Sequence, residues 1–319
     1  MRQYLIPRLL QSIPIIIGIS ILLFLIVHAA PGSPMAKVMD PKMTPEEKAR
    51  IEEKMGLDKN LPEQYFNWIT EVLKGNLGYS HKFGDSVKDV IKNHMWNTFY
   101  LSLLALVLSL VVGIPAGIIS ATKQYSKVDY GFTVFALIGI SIPAFFFALI
   151  LIKVFAIDFK IFPISGMITP GKLIGLSNMK DILWHSVLPA VVLGLGSAAS
   201  FMRYTRSSML EVIRQDYIRT ARAKGLREKI VIYKHALRNA LIPVITLLGF
   251  QIPLLFSSAL LTETVFGWPG MGKIAYMAVM DRDYPLMLGV NMFLAILTLL
   301  GNLMADIFYG LADPRIRYD

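Results

Sequence analysis

An all-α membrane protein with six transmembrane helices is the fold class this sequence predicts, and three observations carry it. Hydrophobic residues make up 55% of the 319-residue chain and charged residues 17%, with a mean hydropathy of +0.55, a balance foreign to ordinary soluble domains. The apolar residues gather into runs near the ~20 residues a membrane helix needs. The net charge of +10 sits in short segments beside those runs, as the positive-inside bias requires, which argues against nucleic acid as a partner. Helices follow because lipid offers no partner to an unpaired backbone group. With no cysteine in the chain, disulfides, thiolate metal sites and cysteine nucleophiles are excluded.

The first run, Ile13 to Val27, follows Arg2 and Arg8. Val27-His28-Ala29 is a poor small-x-small cleavage site, so the run reads as a retained first span rather than a signal peptide. From Ala29 to Asn97 ten Lys/Arg and ten acids cancel, which fits the external side. Within it, Thr44-Pro45-Glu46-Glu47 is a capping box with Pro at the first helical position, and Gly56 ends the helix it starts. Leu61 to Leu73, with Tyr65, Phe66, Trp68 and Ile69, is a second amphipathic piece. The expected division is residues 1–94, first span plus folded external loop, and residues 95–319, the remaining spans with a cytoplasmic loop at 203–239.

Two charge-free runs come next, Phe99 to Ala121 and Gly131 to Ile152. The connector carries Lys123 and Lys127 and is cytoplasmic by the same bias. Lys153 is expected to snorkel to the outer interface, and Asp158 to His185 to form an outer loop. Val187 to Met202 is the fourth run, ending in Arg203 and Arg206; Ala240 to Leu261 and Leu286 to Ala305 are the fifth and sixth. The tail, with Arg315 and Arg317, returns inside, so both termini are cytoplasmic. Pro14, Pro115, Pro143, Pro189, Pro243 and Pro253 lie in spans, where each frees a carbonyl and can kink its helix.

Asp216 to Pro243, DYIRTARAKGLREKIVIYKHALRNALIP, organises the rest. From Arg203 to Arg238 there are ten Lys/Arg against three acids. Asp216 is a candidate N-cap, Tyr217 to Lys224 contains no breaker, and Gly225 stands where a left-handed residue would stop the helix. A second helical pattern follows, with Ile230, Tyr233, Leu237 and Leu241 at three- and four-residue steps. A short exposed helix, a sharp turn and a bracing helix make a docking shape. Tyr217, Ala221 and Lys224 are expected on one face, with the small Ala221 letting that face approach a groove.

This segment resembles the cytoplasmic loop of ABC importer permeases, whose short coupling helix inserts into the ATPase subunit. The family pattern is Glu-Ala-Ala, three residues, Gly, nine residues, then Ile-x-Leu-Pro. With Gly225 as anchor, Ala221 and Leu237 match, while Arg219, Thr220, His235 and Arg238 depart from it. TARAKGL followed by HALRNALIP is similar to the oligopeptide and dipeptide branch. So are the opening PRLLQSIPIIIGISILLFLIVHAAPGSP, GLDKNLPEQYFNWITEVLKGNLGYS, and the series Glu263-Thr-Val-Phe266, Trp268-Pro269-Gly270, Arg282-Asp283-Tyr-Pro285. The resemblance, to the B-type permease subunit, spans nearly the whole chain.

It implies a type I importer permease fold in the cell membrane, non-catalytic, that partners a homologous second permease, two cytosolic ATPase subunits and an external peptide-binding protein. It also implies an ATPase-coupling role for Asp216, Tyr217, Ala221, Lys224, Gly225, Leu226 and Leu237. Nickel and glutathione are alternative cargoes within the same family. A six-span intramembrane enzyme or a channel working alone are readings of another class, and co-purification of ATPases and a second permease discriminates against them.

Gly267-Trp-Pro-Gly-Met-Gly272-Lys273-Ile274 nearly satisfies the phosphate loop G-x4-G-K-[ST]. Ile274 has no hydroxyl for magnesium, no strand is expected before it, and the topology puts it outside. No cofactor is therefore expected on this chain; ATP and magnesium belong to partner subunits. Gly18-Ile-Ser20 and Gly139-Ile-Ser141 match a serine-protease Gly-x-Ser, yet small residues that let helices approach account for them better. Gln251, Asn291 and Asn302 are polar atoms in apolar spans. Such groups face protein or water, which makes Gln251 and Asn291 candidates for a translocation path.

Overall fold

The structure, a computed structural model, describes residues 2–29, 44, 46, 58–172, 175, 178–256 and 259–312. Apart from Thr44 and Glu46, the expected capping box and Gly56 lie outside these residues, as do the Arg315/Arg317 tail and the side chain of Pro253.

The first span is α1 (Arg2–Ala29), continuous through Pro14. External helix α2 (Leu61–Leu73) is capped by Asn60, whose side chain accepts from the Glu63 N–H at 3.0 Å, with Pro in its first turn. A small antiparallel hairpin, β1 (Tyr79–Ser80) against β2 (Asp85–Ser86), follows; its two short strands carry no periodicity that a sequence reading could detect. Ser86 caps α3 (Val87–Thr122), which runs unbroken through residues 94 and 95, where composition places a boundary, and through Pro115. With 36 residues it is about 54 Å long. That overshoots the ~30 Å hydrocarbon layer and leaves its first turns outside.

The expected uninterrupted third span is two helices, α4 (Lys127–Ser141) and α5 (Ala144–Asp158), bent by 106°. The cause is Pro143, which pushes the residue before it out of helical conformation; Ile142 has φ −78° and ψ 126°. The last turns of α5, Ile152–Asp158, are π-helical, and the Lys153 ammonium meets the Asp158 carboxylate at 2.7 Å on the exposed side. Then comes α6 (Met179–Ile213), continuous through Pro189 and starting inside the expected outer loop. It leads to α7 (Asp216–Ala223). The fifth span is again a pair, α8 (Glu228–Ala240) and α9 (Ile242–Leu254), bent by 42°. It ends at Leu254, short of the expected Leu261. Two short external helices, α10 (Leu260–Val265) and α11 (Met271–Asp281), precede α12 (Tyr284–Ala312). Among the described residues four helices are long and apolar enough to cross a membrane, or up to six spans when each bent pair is one span.

Glycine lets α3 lie directly against α6. A Cβ on Gly113 would fall 2.6 Å from the Ala198 carbonyl, and one on Gly117 would fall 2.6 Å from Thr205 Cβ. Gly113 and Gly117 are four apart, the small-xxx-small spacing that brings membrane helices together. Gly139 likewise faces Leu195 and Ala199 of α6, so the Gly-x-Ser stretch in α4 is a packing site.

Candidate functional site

The segment expected to couple to an ATPase is built as an apolar wedge with a charged exterior. Ile218 and Ala221 of α7 are buried in a cluster with Ile118 and Ala121 of α3, Met209 of α6, and Val231, Ile232, Ala236 and Ala240 of α8. Leu237 packs against the same cluster. Gly225 takes φ +75°, the left-handed conformation that stops α7. Across that turn Arg222 holds Glu228 with two hydrogen bonds of 3.1 and 2.7 Å, a bidentate brace that spacing alone did not reveal.

Three expectations are corrected here. Asp216 is the first helical residue rather than the cap: Gln215 takes the extended cap conformation, φ −71° and ψ 149°. The Asp216 carboxylate is instead exposed, 3.5 Å from Arg219. Ala221 is turned into its own bundle. It is 7% exposed, because the apolar side of this short cationic helix packs on α3, α6 and α8. Tyr217 is half out and receives a 2.8 Å hydrogen bond from Asn239; Lys224 and Leu226 are exposed. The outward face is therefore Asp216, Arg219, Thr220 and Ala223, all exposed at three- and four-residue steps. In α8 the π-helical turn Val231–Ala236 rotates the pattern, so Val231, Ile232, Ala236 and Ala240 are buried while Ile230 and Tyr233 are exposed.

A pair the charge reading missed secures this wedge. Asp129, 3% exposed at the start of α4, takes two 2.8 Å hydrogen bonds from the Arg206 guanidinium on α6. It also accepts from the Ser120 hydroxyl and, at 2.9 Å, from the Tyr125 N–H. Arg206, which the sequence places just past the fourth run, ties α4 and the α3–α4 turn to the helix that carries α7. Asp129 stands two residues after Lys127, and nothing in spacing connects it to a partner 77 residues on.

On the external side the signature residues form a second joint. Glu263 of α10 is fully buried. It accepts from the Thr98 hydroxyl of α3 at 2.7 Å and from the N–H groups of Gly272 and Lys273 at 2.7 and 3.1 Å. Those N–H groups open α11, so the anion position of the near-phosphate loop is filled by the chain's own carboxylate. Burial pushes the Glu263 carboxyl above its ordinary value; the three donors oppose that without cancelling it. A Cβ on Gly270 would sit 2.5 Å from this carboxylate, which is why the tight turn needs glycine. The Trp268 indole N–H donates to the Asn97 carbonyl at 3.0 Å, and the Asn97 amide returns a 2.8 Å bond to the Pro269 carbonyl. Asp283, 2% exposed, accepts from Ser80 at 2.6 Å, the Lys82 N–H at 3.0 Å and the Leu286 N–H at 3.2 Å. It thereby locks the hairpin to the start of α12. Arg282 is exposed, at φ 55°.

Between the two joints lies a cavity of about 260 Å³ lined by Ser102, Ser197 and Gln251 among apolar residues of α3, α6 and α9. Asn291 bonds back to the Met287 carbonyl of its own helix at 2.8 Å, and Asn302 is exposed. Of the expected path residues, Gln251 lines this open cavity.

Residues 113–318 match the model of the family described as binding-protein-dependent transport system inner membrane component. The chain belongs to that family. Residues 1–102 match the model of the N-terminal part of the same membrane component. This chain is accordingly the membrane-spanning, non-catalytic component of a binding-protein-dependent importer. Among curated relatives, the oligopeptide transport system permease protein AppB of Bacillus subtilis is 44% identical over 319 residues, covering both chains fully. The dipeptide transport system permease protein DppB of Escherichia coli K12 is 38% identical over 100% of this chain and 99% of its own. An inward-facing structure of the MetNI methionine ABC transporter matches 70% of this chain and 96% of its own, at 17% identity with a TM-score of 0.53. At that identity it is a likeness of fold alone.

Proposed function

We propose that this chain forms one half of the membrane path of an ATP-driven importer for oligopeptides or dipeptides. A homologous permease provides the other half, two cytosolic ATPases drive it, and an external binding protein delivers the peptide. The observation that carries the mechanism is α7, a helix buried on one side in its own bundle and charged on the other. Full-length kinship with AppB and DppB supports peptide as the cargo. Docking of an ATPase on Asp216, Arg219, Thr220 and Ala223 pushes Ile218 and Ala221 against α3, α6 and α8, and the Asp129–Arg206 pair carries α4 with them. The external joint holds the far ends of α3 and α12, so the displacement becomes helix tilt around the cavity at Gln251. ATP and magnesium bind the ATPases; Lys273→Ala leaves the ATP affinity of the assembled complex unchanged.

The test is reconstitution of the complex in proteoliposomes with its binding protein and labelled oligopeptide, dipeptide, glutathione and nickel. ATP-dependent accumulation of peptide, with peptide-stimulated ATP hydrolysis, is the expected result. Accumulation of nickel or glutathione without peptide would overturn the cargo. Uptake that persists without the ATPases would replace the importer with a channel.

A further inference from the structure

We infer that α2 is an interfacial helix that lies on the outer leaflet with lipid beneath it. The residues of Leu61–Leu73 divide into two sectors at 100° per residue. Glu63, Gln64, Asn67, Thr70 and Glu71 share one side; Leu61, Pro62, Tyr65, Phe66, Trp68, Ile69, Val72 and Leu73 fill the other half of the wheel. The protein covers part of that apolar half. Tyr65 and Trp68 pack on Phe24 of α1, with ring centroids 5.5 and 5.8 Å away. Phe66 and Leu73, on the other flank of the same half, remain 66% and 82% exposed.

Depth identifies what lies against them. The Tyr65 hydroxyl is 2.8 Å from the Ser20 hydroxyl, and Ser20 stands nine residues before the end of the apolar window Leu10–Ala29, about 13 Å down the axis. The rings of Tyr65 and Trp68 sit at Phe24, five residues, or about 7 Å, from that end. This matches the depth of ~5–10 Å at which amphipathic helices embed their apolar face. At the same level Leu22, Leu25 and Ile26 of α1 are 47–65% exposed, so the exposed flank of α2 continues the membrane-facing surface of the span. Lys59 and Lys74 stand outside the two ends of the helix, where headgroups meet cationic side chains. A protein partner would need no such register with the span; a lipid surface imposes it.

The experiment uses the full complex in nanodiscs of phosphatidylethanolamine and phosphatidylglycerol. Because the chain has no cysteine, Phe66→Cys, Leu73→Cys and, as control, Lys59→Cys each accept a single nitroxide in a complex whose other subunits have been made cysteine-free. Oxygen, which concentrates in lipid, should relax the labels at 66 and 73 several-fold more than a water-soluble nickel chelate does, with the order reversed at 59. Labels at 66 and 73 that follow the nickel chelate would put that flank in water, and labels that neither relaxant reaches would put it against protein; either result overturns the proposal. A lipid carrying a photoactivatable diazirine on its acyl chain tests the unsubstituted protein. Adducts within residues 61–73 are expected, and their absence alongside adducts in α1 would overturn it.

Discussion

The two joints at opposite ends of α3 are built from opposite materials. The external one is a buried polar network: Glu263, Asp283, Ser80 and Thr98 are each 0–2% exposed and hydrogen-bonded across α3, α10, α11, α12 and the hairpin. The cytoplasmic one is an apolar cluster, Ala121, Ala221, Ala236 and Ala240 with the larger Ile118, Met209, Ile218, Val231 and Ile232, plus two bidentate ion pairs, Asp129–Arg206 and Arg222–Glu228. Directional bonds in a dry site define one geometry and resist displacement. Apolar contacts are non-directional and allow packed helices to slide by small shear motions. The pattern suits a lever anchored outside and pushed from inside.

The largest expected break is Glu263→Ala. It strands the Gly272 and Lys273 N–H groups and the Thr98 hydroxyl, each at about 1–3 kcal/mol, and should abolish a folded external end. Thermal unfolding of the purified complex reads this directly. Asp129→Asn comes next: it removes the charge that Arg206 was placed to meet, at about 3 kcal/mol for a buried pair, whereas Asp129→Glu restores part. If the pair carries motion and not stability alone, Asp129→Asn should lower substrate-stimulated ATP hydrolysis more than basal hydrolysis. Gly225→Val follows, with a backbone cost of roughly 1–2 kcal/mol at positive φ. No atom outside its neighbours lies within 4 Å of the added Cβ, so assembly should survive while transport falls. Gly225→Asn, tolerated in that conformation, should keep most transport. Equal transport by Gly225→Val and wild type would mean that the turn geometry does not matter to coupling.

The smallest effect separates the joints by pH. Burial raises the Glu263 carboxyl, so its contribution to stability is complete below the ordinary carboxylate range and is lost as pH climbs through the elevated value. The melting temperature of wild type should therefore decline over that window. Glu263→Gln should flatten the decline, and Gly225→Val should leave it unchanged.

Much of this protein is legible in its sequence. Run length and Lys/Arg placement carried the six spans because the hydrocarbon layer sets a length and a charge rule that act on each segment separately. Gly225 was legible for the same reason: a helix stop and its left-handed residue are local. The Trp268-Pro269-Gly270 and Arg282-Asp283 signatures were visible as residues but not as a network, since Glu263 meets Thr98 across 165 positions and Asp283 meets Ser80 across 203.

What tertiary structure alone decided is which face of each element looks inward. Sequence spacing put Ala221 on a docking face, yet the cluster around Ile218 turned it into the bundle. The pattern Ile230–Tyr233–Leu237–Leu241 lost its meaning to a π-helical turn, because one extra residue per turn rotates every later side chain. Six prolines looked alike, and a full break occurred at Pro143, where α4 and α5 part at 106°, while Pro115 and Pro189 sit inside continuous helices. Helix periodicity is a property of a dozen neighbouring residues, whereas the choice among its faces depends on which other helices arrive beside it. Asp129 finding Arg206 is the same lesson in charge: the chain supplied both ions, and the packing of α4 on α6 made them a pair.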